Sequence, residues 1–131
     1  MAKILVLDDE GDACDLIERI LSSAHDVKTF TEEQAAMDFA KENPVDLAIL
    51  DIKLKEMSGV DVLARLKEDN SEIKAIMLTG YPTVETAQQA ITLGAHEYLV
   101  KPIDIDELEA KVKKVLAAKK KKAKQAIQLG S

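Results

Sequence analysis

Short apolar runs alternate with amphipathic stretches five times along this chain, and that alternation leaves few folds open. The runs are Ile4 to Leu7, Asp26 to Phe30, Leu47 to Leu50, Ile73 to Leu78 and Glu97 to Val100. Leu47-Ala48-Ile49-Leu50 carries no polar residue, which suits a strand covered on both faces. Asp26-Val27-Lys28-Thr29-Phe30 alternates, as an edge strand would. Between the runs, apolar residues recur at helical spacing. Ala13, Leu16, Ile17, Ile20 and Leu21 mark the first helix, and Ala35, Ala36, Phe39 and Ala40 the second. Val60, Leu63 and Leu66 mark the third, Val84, Ala87 and Ile91 the fourth, and Ile105, Leu108, Val112, Val115 and Leu116 the fifth.

Start and stop signals agree with this division. Thr31 with Gln34 predicts a capping box at the second helix, and Asn43-Pro44 ends it. Ser58-Gly59 leads into the third. Pro82 is expected in the first turn of the fourth, with Gly94 as its terminator. Asp104 and Glu107 open the fifth. Strict alternation predicts a parallel sheet with helices on both faces, and right-handed crossovers narrow this to a doubly wound α/β sheet. A length of 131 residues suits one domain. We expect it over residues 1–118, with 119–131 a basic helical extension or a disordered tail.

Acidic residues outnumber basic ones by 24 to 18, and five of the lysines cluster at 119–122 and 124. The rest of the chain is therefore strongly acidic, which argues against nucleic acid as a direct ligand and suits a site that collects a cation. The lysine cluster reads as a solvated helix end. A lone cysteine, Cys14, excludes an internal disulfide and is read as a small core residue. His25 and His96 lack metal-ligand spacing and read as structural. No apolar run reaches membrane-spanning length. The N-terminus meets Asp8-Asp9 too soon for a signal peptide, so a cytoplasmic location with no membrane partner is expected.

The strand ends carry the functional signal. In an open parallel sheet, ligands bind beyond the carboxyl ends of the strands. That edge should receive Asp8 and Asp9 from the first strand, Asp51 from the third, Thr79 from the fourth and Lys101 from the fifth. Carboxylates crowded together repel unless a cation neutralises them, and Mg2+ is hard, oxygen-seeking and willing to keep waters. Lys101 supplies a point charge suited to a phosphate, and Thr79 a hydroxyl donor. Tyr98 taken alone reads as a half-buried strand aromatic.

On Asp8-Asp9, Asp51, Gly59, Thr79-Gly80, Tyr98 and Lys101-Pro102, the chain resembles the receiver domain of two-component response regulators over about residues 3–117. The resemblance implies a flavodoxin-like five-stranded sheet in the order 2-1-3-4-5 with five helices. It implies that Asp51 accepts a phosphoryl group from a histidine kinase or a histidine phosphotransfer protein. Asp9, Asp51 and the backbone carbonyl of Lys53 would bind Mg2+, with Asp8 acting through a water. Thr79 and Lys101 would hold phosphoryl oxygens, and a cis Lys101-Pro102 peptide would aim the lysine inward. Thr79 and Tyr98 would form the switch that alters the face made by the fourth helix, fifth strand and fifth helix. That face would address a downstream protein, an attached output domain or a second copy of the chain.

One departure stands out. Many receivers carry Met-Pro three and four residues after the phosphoacceptor, where this chain has Leu54-Lys55, which leaves the loop less fixed. Lys53 and Tyr81, two residues beyond Asp51 and Thr79, would border the phosphoryl group and shield it from hydrolysis. Two enzyme-like or cofactor-binding rivals fit poorly. A haloacid-dehalogenase-type phosphatase needs a second acid where Lys53 stands, and a flavin-binding module wants a Ser/Thr-rich loop where Asp8-Asp9-Glu10 stands. A docking module of the same fold that works without phosphorylation is the remaining alternative.

Overall fold

Five strands, β1 (Lys3–Leu7), β2 (Asp26–Phe30), β3 (Leu47–Asp51), β4 (Lys74–Thr79) and β5 (Glu97–Val100), alternate with helices α1 (Gly11–Leu21), α2 (Glu33–Glu42), α3 (Gly59–Asp69), α4 (Val84–Thr92) and α5 (Ile105–Gly130). This computed structural model describes residues 1–130, with side chains through residue 118. The side chains of the lysine cluster, on which its solvated reading rests, and Ser131 lie outside that description. All neighbouring strands are parallel and the sheet order is β2-β1-β3-β4-β5. The alternation predicts the doubly wound arrangement, and the strand order is the flavodoxin-like one that the resemblance implies.

Two cores follow from the two-residue side-chain period of the strands. Leu5, Leu7, Ala48, Leu50, Ala75 and Met77 face one side, where Ala36 and Met37 of α2, Leu63 and Leu66 of α3 and Ala90 of α4 cover them. Ile4, Val6, Leu47, Ile49, Ile76 and Leu78 face the other, under Cys14 and Ile17 of α1 and Leu108, Val112 and Val115 of α5. Every residue of β3 is buried, which explains why Leu47 to Leu50 are all apolar, with Asp51 as the polar residue that ends the strand. Lys111 Nζ donates to the Tyr98 carbonyl at 2.8 Å and Lys114 Nζ to Glu97 Oε2 at 2.9 Å, tying α5 to β5. Burial pushes the Cys14 thiol up to about 11, with the Asp8 carboxylate adding to it, as suits an inert core residue. His25 Nδ1 accepts from the Ala2 N–H and His96 Nδ1 from the Ala75 N–H, so both histidines serve the backbone.

Three local expectations need correction. The Thr31–Gln34 capping box does not form, because the chain stays extended through Glu32 and α2 starts only at Glu33. The Gln34 side chain donates to Asp38 instead, while Ala35 is exposed and Met37 takes the core position. Pro82 precedes the N-cap of α4 and is not in its first turn. Thr83 is the cap, in a capping box with Thr86. Finally, the apolar stripe of α4 faces outward: Val84 and Ile91 are 75% and 72% exposed, and only Ala90 is buried.

Gly94 ends α4 with φ +85°, a conformation glycine adopts without strain. Gly59 is needed for a different reason. The chain turns back after β3 so tightly that a Cβ there would overlap the carbonyl oxygen of Asp51 and lie 2.8 Å from its carbonyl carbon. Gly59→Ala should therefore displace the end of β3 at a cost of about 1–3 kcal/mol, lowering the thermal midpoint by roughly 5–10 °C. Gly11→Ala, whose added methyl meets no atom within 4 Å, should leave the midpoint unchanged or slightly raised. Circular dichroism melts of the two variants check the contrast.

Candidate functional site

Parallel pairing delivers the ends of β1, β3, β4 and β5 to one edge of the sheet. Asp8 follows β1 directly, Asp51 and Thr79 end β3 and β4, and Lys101 follows β5. The root of Lys101 is fixed by its N–H, which donates to the Thr79 carbonyl at 2.8 Å. The Lys101-Pro102 peptide is cis. From there the side chain reaches across β4 to the acids. Its Nζ lies 2.7 Å from Asp8 Oδ2, 3.0 Å from Glu10 Oε1 and 3.0 Å from Asp51 Oδ2. Strands are about 4.8 Å apart, so a shorter side chain would not cover the gap.

The acids are held from behind by backbone amides. Asp51 Oδ1 accepts from the Lys53 N–H at 3.1 Å, and Asp8 Oδ1 from the Glu10 N–H at 2.9 Å. Asp8 Oδ2 is buried, and its partner is the Lys101 ammonium 2.7 Å away, which it shares with Glu10 and Asp51. Carboxylate oxygens of Asp8, Asp9, Glu10 and Asp51 all lie within 4.8 Å of one another. Among the described residues, Lys101 is the only ammonium within ion-pair distance of them.

That imbalance sets the electrostatics. Burial pushes the Asp51 carboxyl up to about 6, and Asp8 adds to the rise against the opposing pull of Lys101. Burial also works against the Lys101 ammonium, yet hydrogen bonding to Asp8, Glu10 and Asp51 outweighs it and holds the lysine above its ordinary value. In a simple ion pair the acid would fall as the base rose. Here one ammonium is divided among several acids, so it gains from all of them while each acid remains short of positive charge.

The cleft at this edge, about 360 Å3, is lined by Asp9, Glu10, Asp51, Lys53, Tyr81 and Lys101 among others. Lys53 Nζ sits 4.5 Å from the centroid of the Tyr81 ring, a cation–π contact across the cleft wall. Thr79 is buried and its Oγ1 accepts from the Tyr81 N–H at 2.9 Å. It lines an adjoining cavity of about 490 Å3, shared with Lys53, Met57, Tyr81 and Thr86, rather than the acidic cleft. Tyr98 lies farther along this side, its hydroxyl 3.2 Å from Thr86 Oγ1. The structure thus brings Asp8, Asp9, Asp51 and Lys101 together, sets Thr79 beside them, and links Tyr98 to α4.

An all-oxygen donor set of four carboxylates gathered around a single ammonium fits a hard divalent cation such as Mg2+. Two contributors are absent from the sequence-based set. Glu10 joins the acidic cluster and pairs with Lys101; its place beside Asp8-Asp9 was the available signal. Glu33 is buried, and its Oε2 accepts from the Glu56 N–H at 2.6 Å and the Met57 N–H at 3.2 Å. Nothing in the sequence distinguishes it from its neighbour Glu32.

Residues 4–113 match the family described as the response regulator receiver domain. The chain is 35% identical over 115 residues to the transcriptional regulatory protein ZraR of Escherichia coli, covering 87% of this chain but only 26% of that protein. It therefore spans about a quarter of the length of that relative. It is 33% identical to sporulation initiation phosphotransferase F of Bacillus subtilis, covering 89% of this chain and 95% of that one. Among solved structures, a CheY-like response regulator receiver domain protein from Methanospirillum hungatei superposes with a TM-score of 0.88 at 28% identity, covering 93% and 98% of the two chains.

The raised Asp51 value makes a signed prediction for the metal-free chain. Folding lifts this acid from about 4 in the unfolded chain to about 6. The folded state holds the proton more tightly, so the group's stabilisation is full below about pH 4 and is lost as the pH rises through 6. Asp51→Asn removes that titration. In buffer containing a chelator, the stability gained by Asn over Asp should grow between pH 4 and 7 and then level off, by at most about 3 kcal/mol. Denaturant unfolding across that range checks it, and a gap that does not vary with pH contradicts it.

Proposed function

The chain belongs to the response regulator receiver domain family, and on that premise we propose that Asp51 takes a phosphoryl group from a phosphohistidine and that the phosphorylated chain signals through the α4, β5 and α5 face. As a receiver it is a phosphoacceptor that assists its own chemistry, not a classical enzyme. The observation that carries the proposal is the Lys101 ammonium, 3.0 Å from Asp51 Oδ2 at the mouth of an acidic cleft. The match to a protein named as a phosphotransferase supports the same reading.

In the proposed reaction, an Asp51 carboxylate oxygen attacks the phosphorus of a phosphoimidazole from a histidine kinase or phosphotransfer protein. The new O–P bond forms as the N–P bond breaks, and the imidazole leaves with the electron pair. Charge builds on the phosphoryl oxygens, where the Lys101 ammonium and the Thr79 hydroxyl are suited to receive it. Asp9, Asp51 and the Lys53 carbonyl would hold Mg2+, with Asp8 at one water's remove. When bound, Mg2+ offsets the surplus carboxylate charge and draws electron density from the phosphoryl oxygens. Lys53 and Tyr81, already in contact over the cleft, would limit the approach of water and slow hydrolysis.

The switch would use Thr79 and Tyr98. Thr79 moves toward the phosphoryl group, and Tyr98 fills the space behind it. The Tyr98–Thr86 hydroxyl contact supports a link from this site to α4. Phosphate shifts the equilibrium only by favouring one arrangement over the other. Exposed apolar side chains at Tyr81, Val84, Ile91, Val100 and Ile105 support a protein-docking role for the same face, toward a downstream protein, an attached output domain or a second copy. No helix among the described residues is long and apolar enough to cross a membrane. We place the chain's work in the cytoplasm, with residues 1–118 as the receiver unit and no direct nucleic-acid binding.

Incubation with acetyl phosphate and Mg2+, followed by intact-mass analysis, tests the chemistry. One added phosphoryl group is expected, absent in Asp51→Asn. Lys101→Ala should slow its appearance by ~100-fold, the scale of losing one charge-stabilising donor. No adduct with any phosphodonor would favour a phosphorylation-independent docking module. The double variant Lys53→Ala, Tyr81→Ala should shorten the phosphoryl lifetime, and an unchanged half-life removes the shielding role.

A further inference from the structure

We propose that Glu33, at the start of α2, is a positioning residue for the loop that follows the phosphoacceptor, and that it thereby sets Mg2+ affinity. This rests on the reading of Asp51 and Lys53 as part of the metal site.

The loop between β3 and α3 is closed at its base. The Gly59 N–H donates to the Ile52 carbonyl at 2.8 Å, Lys53 bridges to Ser58, and the Lys53 N–H donates to Asp51 Oδ1. Its tip, Leu54 to Met57, has no proline to stiffen it. Leu54 and Met57 pack only partly against the core. The tip amides of Glu56 and Met57 both donate to one oxygen, Glu33 Oε2, at 2.6 and 3.2 Å.

A carboxylate only 5% exposed must find donors. Glu33 finds them on another element, 23 and 24 residues away in sequence. Bonds to an ionised acceptor are shorter and stronger than neutral ones, and the amino end of α2 favours the negative charge further. The far side of Glu33 is fixed, since Ala36 and Met37 seat α2 in the core. The same carboxylate therefore transmits the position of α2 to a loop whose first residues are Ile52 and Lys53. Loss of Glu33 would leave two tip amides without their acceptor and free the loop to sample arrangements in which the Lys53 carbonyl is misplaced for a cation with strict geometric demands.

The test compares the unmodified chain with Glu33→Ala, Glu33→Gln and Ile17→Val, the last a destabilising change in the core across the sheet. Mg2+ binding by each is measured by titration calorimetry, and exchange of the Glu56 and Met57 amides by NMR. Glu33→Ala is expected to weaken Mg2+ binding by about tenfold and to speed exchange of both amides. Glu33→Gln, whose amide oxygen still accepts, should recover most of the affinity. Ile17→Val should lower stability and leave affinity unchanged. Faster amide exchange with undiminished Mg2+ affinity in Glu33→Ala would overturn the proposal and reduce Glu33 to a structural staple. Failure of Glu33→Gln to recover affinity, or equal weakening in Ile17→Val, would overturn it too. Should Glu33→Ala not fold, Glu33→Met, which keeps the side-chain length without a carboxylate acceptor, takes its place with the same expected and overturning outcomes. Absence of Mg2+ binding by the unmodified chain would be seen first and would overturn the underlying reading along with this one.

Discussion

The ammonium of Lys101, set among Asp8, Glu10 and Asp51, is the contact around which the carboxyl edge of the sheet is arranged. It exists only because the strands are parallel. A parallel sheet sends each strand end to one edge, so residues 50 and more positions apart in sequence share a cleft without any local signal between them. It also exists only because the side chain is long. Asp51 and Lys101 belong to strands separated by β4, and the lysine stem spans the intervening distance. The burial of β3 and the hydrogen bond from Lys101 to Thr79 fix the two roots, leaving the charged ends to meet.

The contact is also unbalanced, and the imbalance says what the cleft can accept. Several acids compete for one ammonium, Asp51 is pushed up to about 6, and the buried Asp8 Oδ2 has only a share of that ammonium. An anion entering such a pocket alone would meet net repulsion. A cation would find oxygen donors already gathered, with the repulsion among them as the driving force. On the proposed reading, the order of charge follows from this: positive charge must be added before a phosphoryl group can be. Lys101 by itself is too heavily shared to neutralise both.

Much of this was legible in the sequence, for a physical reason. Strands covered on both faces must be apolar throughout, so their ends are abrupt, and the first polar residue after each marks the sheet edge. Asp8, Asp51 and Thr79 mark the edge in that way, whereas Lys101 follows the half-buried edge strand β5. What periodicity could not reveal was which face the rest of the molecule covers. Val84 and Ile91 repeat at helical spacing as a core stripe would, yet they point outward, because Ala90 makes the contact with the sheet. Local capping rules failed at α2 for a related reason. Thr31 and Gln34 had the right spacing, but the helix begins at Glu33, whose side chain is committed to a distant loop. Tertiary contacts of that kind leave no trace in spacing.

The loop after β3 shows how a site can be shaped by constraints of opposite kinds. At its end, Gly59 removes a side chain so that the backbone can pass against the Asp51 carbonyl. At its tip, Glu33 adds one so that otherwise unpaired amides have an acceptor. A proline would stiffen such a loop from within and make its shape a local property. Fixing it from α2 makes the shape depend on how that helix is seated, through Ala36 and Met37, in the core beneath. The geometry around Asp51 is then not independent of packing on that face of the sheet. On the proposed reading, a change that shifts α2 without touching the acids or Lys101 would still be felt at the cleft, because two hydrogen bonds to Glu33 connect that helix to the loop.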